Sequence, residues 1–236
     1  MIAALDHLML AGSMSAYETL LGRRAAGGWL RTDNVGLTFA PSGPPLASMV
    51  FATPSLDKAE RLLGRRGVAT TRNQQLELST DATHGVPIAL VERAGQPPAS
   101  AATVGEAAAI SSLDHIVVRS PNPERAIAFY AGRLGLDLRL DRSNPQWGAR
   151  LLFFRCGDLV VEIAHDLKAG VSDGPDHLWG LSWRTPDIVQ AHDRLKAAGL
   201  DVSEPRDGRR PGTRVFAVNR QTDNVPTIVI GGVGHW

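Results

Sequence analysis

Leu113-Asp114-His115-Ile116-Val117-Val118 repeats the phrase Leu5-Asp6-His7-Leu8-Met9-Leu10 near the start of the chain, identically in Leu-Asp-His and with apolar residues after it. Each copy sets one histidine at the mouth of an apolar run that reads as a strand and leads into a helix-like stretch. Two further echoes extend the match. Gly85-Val86-Pro87-Ile88-Ala89-Leu90-Val91 answers Asn224-Val225-Pro226-Thr227-Ile228-Val229-Ile230, and Ala52-Thr53-Pro54 answers Arg184-Thr185-Pro186, each of the last pair entering an amphipathic helix. Repetition on this scale decides the fold class before any single motif does: four related modules in two pairs.

Outward from His115, the strand Leu113 to Arg119 is followed by Ser120-Pro121-Asn122-Pro123-Glu124, which starts a helix running through Gly132 with Ala126, Ile127, Phe129 and Tyr130 as its apolar face. Strands are expected at about 136–141, 150–155 and 159–165, so the unit is β-α-β-β-β. The next module repeats it with a strand at 178–184, a helix at 187–198 closed by Gly199, and strands near 200–204, 213–219 and 226–231. The second module has a strand at 47–52, a helix at 55–66 closed by Gly67, and strands near 75–79 and 86–92; the first is shortened. Between Arg93 and Ser112 the chain turns small and polar with paired prolines, the composition of a linker. The expected organisation is an α+β protein with one domain at 1–95, a linker at 96–111 and a second domain at 112–236.

Bulk properties narrow the partners. Lys plus Arg (25) nearly cancel Asp plus Glu (24), which leaves no basic field for nucleic acid or an anionic membrane. The single cysteine, Cys156, rules out an intramolecular disulfide and cannot build a thiolate metal site alone; its turn setting gives it no activation. No window approaches ~20 consecutive apolar residues. The expectation is a soluble, cytoplasmic protein with a small-molecule partner, the halves either completing one another within one chain or pairing as a homodimer.

The Leu113–Val118 phrase, the helix ending Ala128-Phe129-Tyr130 before Arg133-Leu134-Gly135-Leu136, and Leu159-Val160-Val161-Glu162-Ile163 together resemble the vicinal oxygen chelate superfamily, which includes glyoxalase I, extradiol dioxygenases, methylmalonyl-CoA epimerase and bleomycin-resistance proteins. The resemblance covers 113–231 strongly and 3–93 weakly. It implies two glyoxalase-like domains, each an incomplete, cupped β-barrel made of two modules, in the two-domain arrangement of the extradiol dioxygenases. It also implies a ligand or a metal inside the cup.

The family's metal positions lie on the first and last strands of each module. Carried over one at a time, they fall on His115 and Glu162 in module three, and on His177 and Ile228 in module four. In the N-terminal half they fall on His7, about Thr38, Pro45 and Ala89, so that half reads as scaffold or lid. His115, Glu162 and His177 would hold Fe, Mn, Ni or Zn with positions left open for a substrate bearing two adjacent oxygens, as in a metal-dependent lyase, an isomerase or a ring-cleaving dioxygenase. Isoleucine at 228 can neither ligate nor move a proton, and an apolar wall there equally suits the metal-free members that bind bulky aromatic drugs.

Each candidate also has a plain structural use. A histidine at a strand start can simply hydrogen-bond a sheet edge, His177 follows a loop that leaves its register open, and Glu162 amid Val160, Val161 and Ile163 needs a cation, a metal or solvent. Trp179 and Trp183, four apart on one strand, would line a pocket for a flat ligand or pack against helices. Arg150, like Arg155 and Arg184, would clamp a substrate carboxylate or sit on a solvated sheet face.

Overall fold

The computed structural model describes residues 2–232; the last four residues of the expected second domain, 233–236, lie outside them. Strand pairing produces two open sheets. The first contains β1 (Ala4–Ala11), β2 (Leu30–Arg31), β3 (Gly36–Ala40), β4 (Leu46–Thr53), β5 (Thr70–Arg72), β6 (Leu76–Leu78) and β7 (Ile88–Glu92) in the order β2-β3-β1-β4-β7-β6-β5. The second contains β8 (Ser112–Arg119), β9 (Asp137–Asn144), β10 (Ala149–Cys156), β11 (Leu159–Asp166), β12 (His177–Arg184), β13 (Arg206–Asp207), β14 (Thr213–Val218) and β15 (Thr227–Gly232) in the order β13-β14-β15-β12-β8-β11-β10-β9. Both are mixed: β4 pairs parallel with β7 and β12 with β15, as a crossover through a helix requires, while the hairpins are antiparallel. The α+β architecture of repeated βαβββ units is thus present, with neither sheet closed into a barrel.

A helix follows the first strand of each module, and a short polar side chain starts it: Ser13 for α1 (Met14–Leu21), Ser55 for α2 (Leu56–Arg65), Asn122 for α3 (Pro123–Ile127) and Asp187 for α4 (Ile188–Ala197). Beyond the ends of α2 and α4 come Gly67 and Gly199, both in the left-handed conformation expected of them. The third helix passes into a π-helical stretch, Ala128–Arg133, that buries Phe129 and Tyr130. Two strand expectations needed revision. No strand forms at 200–204, where Pro205 removes a donor; Val202 makes only an isolated bridge to Val218, and β13 takes the edge. The three-residue β5, too short and polar to announce itself, was not expected.

The chain packs as two compact units. One comprises Met1–His7, Ser48–Gly95 and Ile116–Trp179. In it Phe129 meets Tyr130 edge-on at 5.1 Å and Tyr130 meets Phe154 at 5.5 Å, so the third helix covers the β10 face that carries Phe154. The other comprises Leu8–Ala47, Gln96–His115 and Gly180–Trp236. Its core holds Trp183, Phe216 and Val229. Within this second unit the proline-rich segment is fastened: buried Arg23 donates to the carbonyls of Ile110 (2.9 Å) and Ser100 (3.0 Å), and Arg194 donates to those of Ala108, Thr19 and Leu20.

Candidate functional site

In the second unit, strand register sorts residues onto faces. Ser182 of β12 is the cross-strand partner of Ile228, which is the partner of Ala217 on β14; Trp183, Val229 and Phe216 form the alternate row. The His192 ring of α4 stands edge-on to Phe216 at 5.4 Å, so α4 covers the tryptophan row and leaves the Ser182 row on the opposite face. His115, at the start of β8, belongs to the Ser182 face, because the Ser182 hydroxyl lies 2.6 Å from its Nε2.

The other ring nitrogen, Nδ1, is 2.8 Å from Oδ1 of Asp114. Oδ2 of Asp114 accepts from Arg184 Nε at 2.7 Å and from Arg210 at 3.5 Å. Asp114, His115 and Ser182 are 1%, 8% and 2% exposed, so the chain of bonds is shielded from water. Burial alone would raise the Asp114 pKa, but the bond from His115 and the Arg184 charge outweigh it and hold the carboxyl well below the ordinary range. An ionised Asp114 only accepts, which puts a proton on Nδ1 of His115, while Nε2 pairs with the Ser182 hydroxyl. Chemically this is a buried imidazole oriented by a carboxylate on one side and a hydroxyl on the other.

The N-terminal half repeats the first part. His7 Nδ1 lies 2.7 Å from Asp6, which also pairs with Arg93. Burial opposes the ionised form of Asp6, while the His7 bond and the Arg93 charge win and lower its pKa.

The helix starts act as rulers for the remaining metal positions. His115 stands seven residues before the cap Asn122, and the residue seven before Asp187 is Gly180, not His177, which stands ten before it. Gly180 cannot be exchanged freely: a Cβ there would lie 2.8 Å from the carbonyl oxygen of Pro226. His177 is exposed at the strand end. With Ile228 beside Ser182 and a bare backbone at 180, His115 has no nitrogen, sulfur or carboxylate ligand from these positions, and its own Nε2 is engaged. Among the described residues no group of three or more His, Cys, Asp or Glu is placed to hold a metal ion. The residues present do not fit the divalent metal that the resemblance implies.

In the first unit, Glu162 of β11 faces Phe153 across the hairpin and shares its row with Leu151, Val160 and Ala164, the face opposite the aromatic cluster of the third helix. It is half-buried in that apolar row. Arg150 occupies the other row and spends its fork internally, on Asp141 at 2.9 and 2.7 Å and on Glu124 at 2.7 Å. Trp179 is 37% exposed, with the Arg119 guanidinium 4.3 Å from its ring centroid. In the second unit Trp183 is fully buried and its indole N–H has no hydrogen-bond partner among the described residues. Cys156 is buried, which pushes its thiol up to about 12, an inert group. Ser182 and Gly180 escaped sequence reasoning. Aligning the repeats on their caps would have found Gly180, and a lone hydroxyl in an apolar strand signals a buried partner.

Residues 112–224 match the family model described as the Glyoxalase/Bleomycin resistance protein/Dioxygenase superfamily. Over 112 residues the chain is 29% identical to an ethylmalonyl-CoA/methylmalonyl-CoA epimerase of Cereibacter sphaeroides, covering 42% of this chain and 81% of that one. The fold is similar to that of a catechol 2,3-dioxygenase crystal structure, with a TM-score of 0.71 at 17% identity over 98% of this chain and 88% of the other. A halotolerant catechol dioxygenase gives 0.70 at 13% identity over 98% and 87%. At such identities the two structures speak for the fold alone.

Proposed function

From a chain that belongs, through residues 112–224, to the Glyoxalase/Bleomycin resistance protein/Dioxygenase superfamily, we propose a glyoxalase- and dioxygenase-like protein that binds a small organic molecule without a metal, on the face of its C-terminal sheet opposite α4. The observation that supports this reading most is the closed state of His115: Asp114 holds one ring nitrogen, Ser182 the other, and the neighbouring positions offer Gly180 and Ile228 where donors would stand. The face beside them is apolar and partly open, with Ile228 and Ala217 half-buried and Ile230 and Val215 mostly covered. Such a surface with a few fixed polar groups suits a small, largely apolar or aromatic ligand that offers one hydrogen-bonding group.

A thermal-shift and tryptophan-fluorescence screen of flat aromatic compounds and of α-hydroxyketones and catechols, run with and without EDTA, tests it. The expected result is a ligand-dependent shift that EDTA leaves intact and that Ile228→Lys abolishes. Stabilisation that appears only with added Fe(II), Mn(II), Ni(II) or Zn(II) and disappears with EDTA would overturn the metal-free reading.

A further inference from the structure

The segment between the two halves of the sequence runs past two cations of the second unit. Buried Arg23 donates from Nε to the Ile110 carbonyl and from Nη1 to the Ser100 carbonyl, while its Nη2 meets Oε2 of Glu106 at 3.3 Å. Half-buried Arg194 spends its guanidinium on the carbonyls of Ala108, Thr19 and Leu20, and burial lowers its pKa. A buried guanidinium needs a counter-charge. Among the described residues Glu106 is the carboxylate that supplies one to Arg23, and the match is loose. The contact is longer than the ~2.7–2.9 Å of a well-made charge-assisted bond, and the Glu106 side chain is 73% exposed, able to turn into water.

Beside this pair opens a cleft of about 590 Å³, whose lining includes Arg23, Asp33, Glu106, Ala99, Ala101 and Pro186, all within the one compact unit. Its wall is held by backbone bonds, from Arg24 to the Ala101 carbonyl, from Thr103 to that of Gly22 and from Ser100 to that of Arg31, each 2.9 Å. The space beside the guanidinium is therefore built into the chain path. With Glu106 turned away, Arg23 and Arg194 against Asp33 leave one positive charge to match.

We propose that this cleft binds a small monocarboxylate, whose carboxylate takes the place of Glu106 on Arg23 Nη2 and whose short apolar body lies along the alanines and Pro186. Glu106 is the resident counter-ion: it keeps the buried charge matched while the cleft is empty and competes with the ligand for one guanidinium nitrogen. Asp33 on the same lining opposes a second negative charge, so singly charged acids are preferred over dianions. The cleft has neither Ser182, Ile228 nor Ala217 in its lining, so the inference goes beyond the binding reading and stands or falls separately from it.

The test titrates sodium butyrate into the nitrogen-15-labelled full chain and follows the Arg23 Nε–H signal and the Ala107 amide, assigned by triple-resonance spectra. Sodium chloride at matched ionic strength is the control. A saturable shift is expected with butyrate and not with chloride. Glu106→Gln changes an exposed side chain, which leaves the fold intact, and should tighten butyrate about tenfold or more, the scale of one hydrogen bond to a charged group. Glu204→Gln removes the same charge at another exposed position and should leave the affinity at the parent value. Succinate should bind more weakly than butyrate, and Asp33→Asn should narrow that difference. A butyrate response no different from that of chloride overturns the proposal. So does an affinity that Glu106→Gln leaves unchanged or weakens, or that Glu204→Gln raises as much. Succinate binding as tightly as butyrate overturns the assigned ligand class.

Discussion

Replacing Asp114 by Asn probes a buried group with three side-chain partners in the second unit. The carboxylate serves His115 at 2.8 Å, Arg184 at 2.7 Å and Arg210 at 3.5 Å while only 2% of its side chain is exposed. Asparagine keeps the shape but removes the charge and turns one acceptor into a donor, so either the His115 Nδ1–H or the Arg184 N–H meets another donor. Breaking a buried pair from one side costs about 3–5 kcal/mol when the abandoned charge stays buried. Here Arg184 and Arg210 retain 30% and 20% side-chain exposure and can turn toward water. A loss of about 2–3 kcal/mol is therefore expected, since the neutral hydrogen-bond mismatch and part of the ionic loss remain. For a chain of this length that lowers Tm by about 4–12 °C in differential scanning calorimetry at neutral pH. The pH dependence supplies the sign. A carboxyl depressed in the folded state contributes fully above its unfolded value of ~3.9 and loses that contribution as pH falls below it. The gap between parent and Asp114→Asn should therefore narrow on acidification from neutrality to pH ~3. A variant as stable as the parent at neutral pH, or a gap that widens in acid, would refute the reasoning.

Gly180→Ala should destabilise by about 1–3 kcal/mol in urea unfolding, because the added methyl meets the Pro226 carbonyl at 2.8 Å and backbone must move. Trp183→Phe should remove a fluorescence component that acrylamide does not reach while leaving the quenchable fraction, to which the 37% exposed Trp179 contributes, unchanged. Cys156, with its thiol raised to about 12, should stay unreactive to Ellman's reagent in the native state at pH 8 and titrate as one thiol after unfolding.

The architecture was legible because its signal is periodic. The phrase around His115 and His7, and the polar residue that caps each following helix, recur at spacings a strand and a helix impose, and the observed elements follow them within a few residues. The site was less legible because strand alternation fixes the face of a side chain but not its partner. His177 sits on the right strand, yet three residues separate it from the place Gly180 fills, and only the cap of α4 supplies the register. Arg150 had the chemistry of a carboxylate clamp, but whether its fork is already spent depends on Asp141 across the β9–β10 hairpin. Ser182, one hydroxyl in Leu-Ser-Trp, carries no pattern at all; its meaning comes from a histidine sixty-seven residues away.

The most direct measurement of the central claim is the nitrogen-15 spectrum of the His115 imidazole, assigned by comparison with His115→Gln and recorded before and after one equivalent of Zn(II) or Co(II). A ring with a proton on Nδ1, whose resonances neither ion moves, is expected. Loss or displacement of the Nε2 resonance on adding metal would show that His115 is a ligand in waiting, and the metal-free reading would fall.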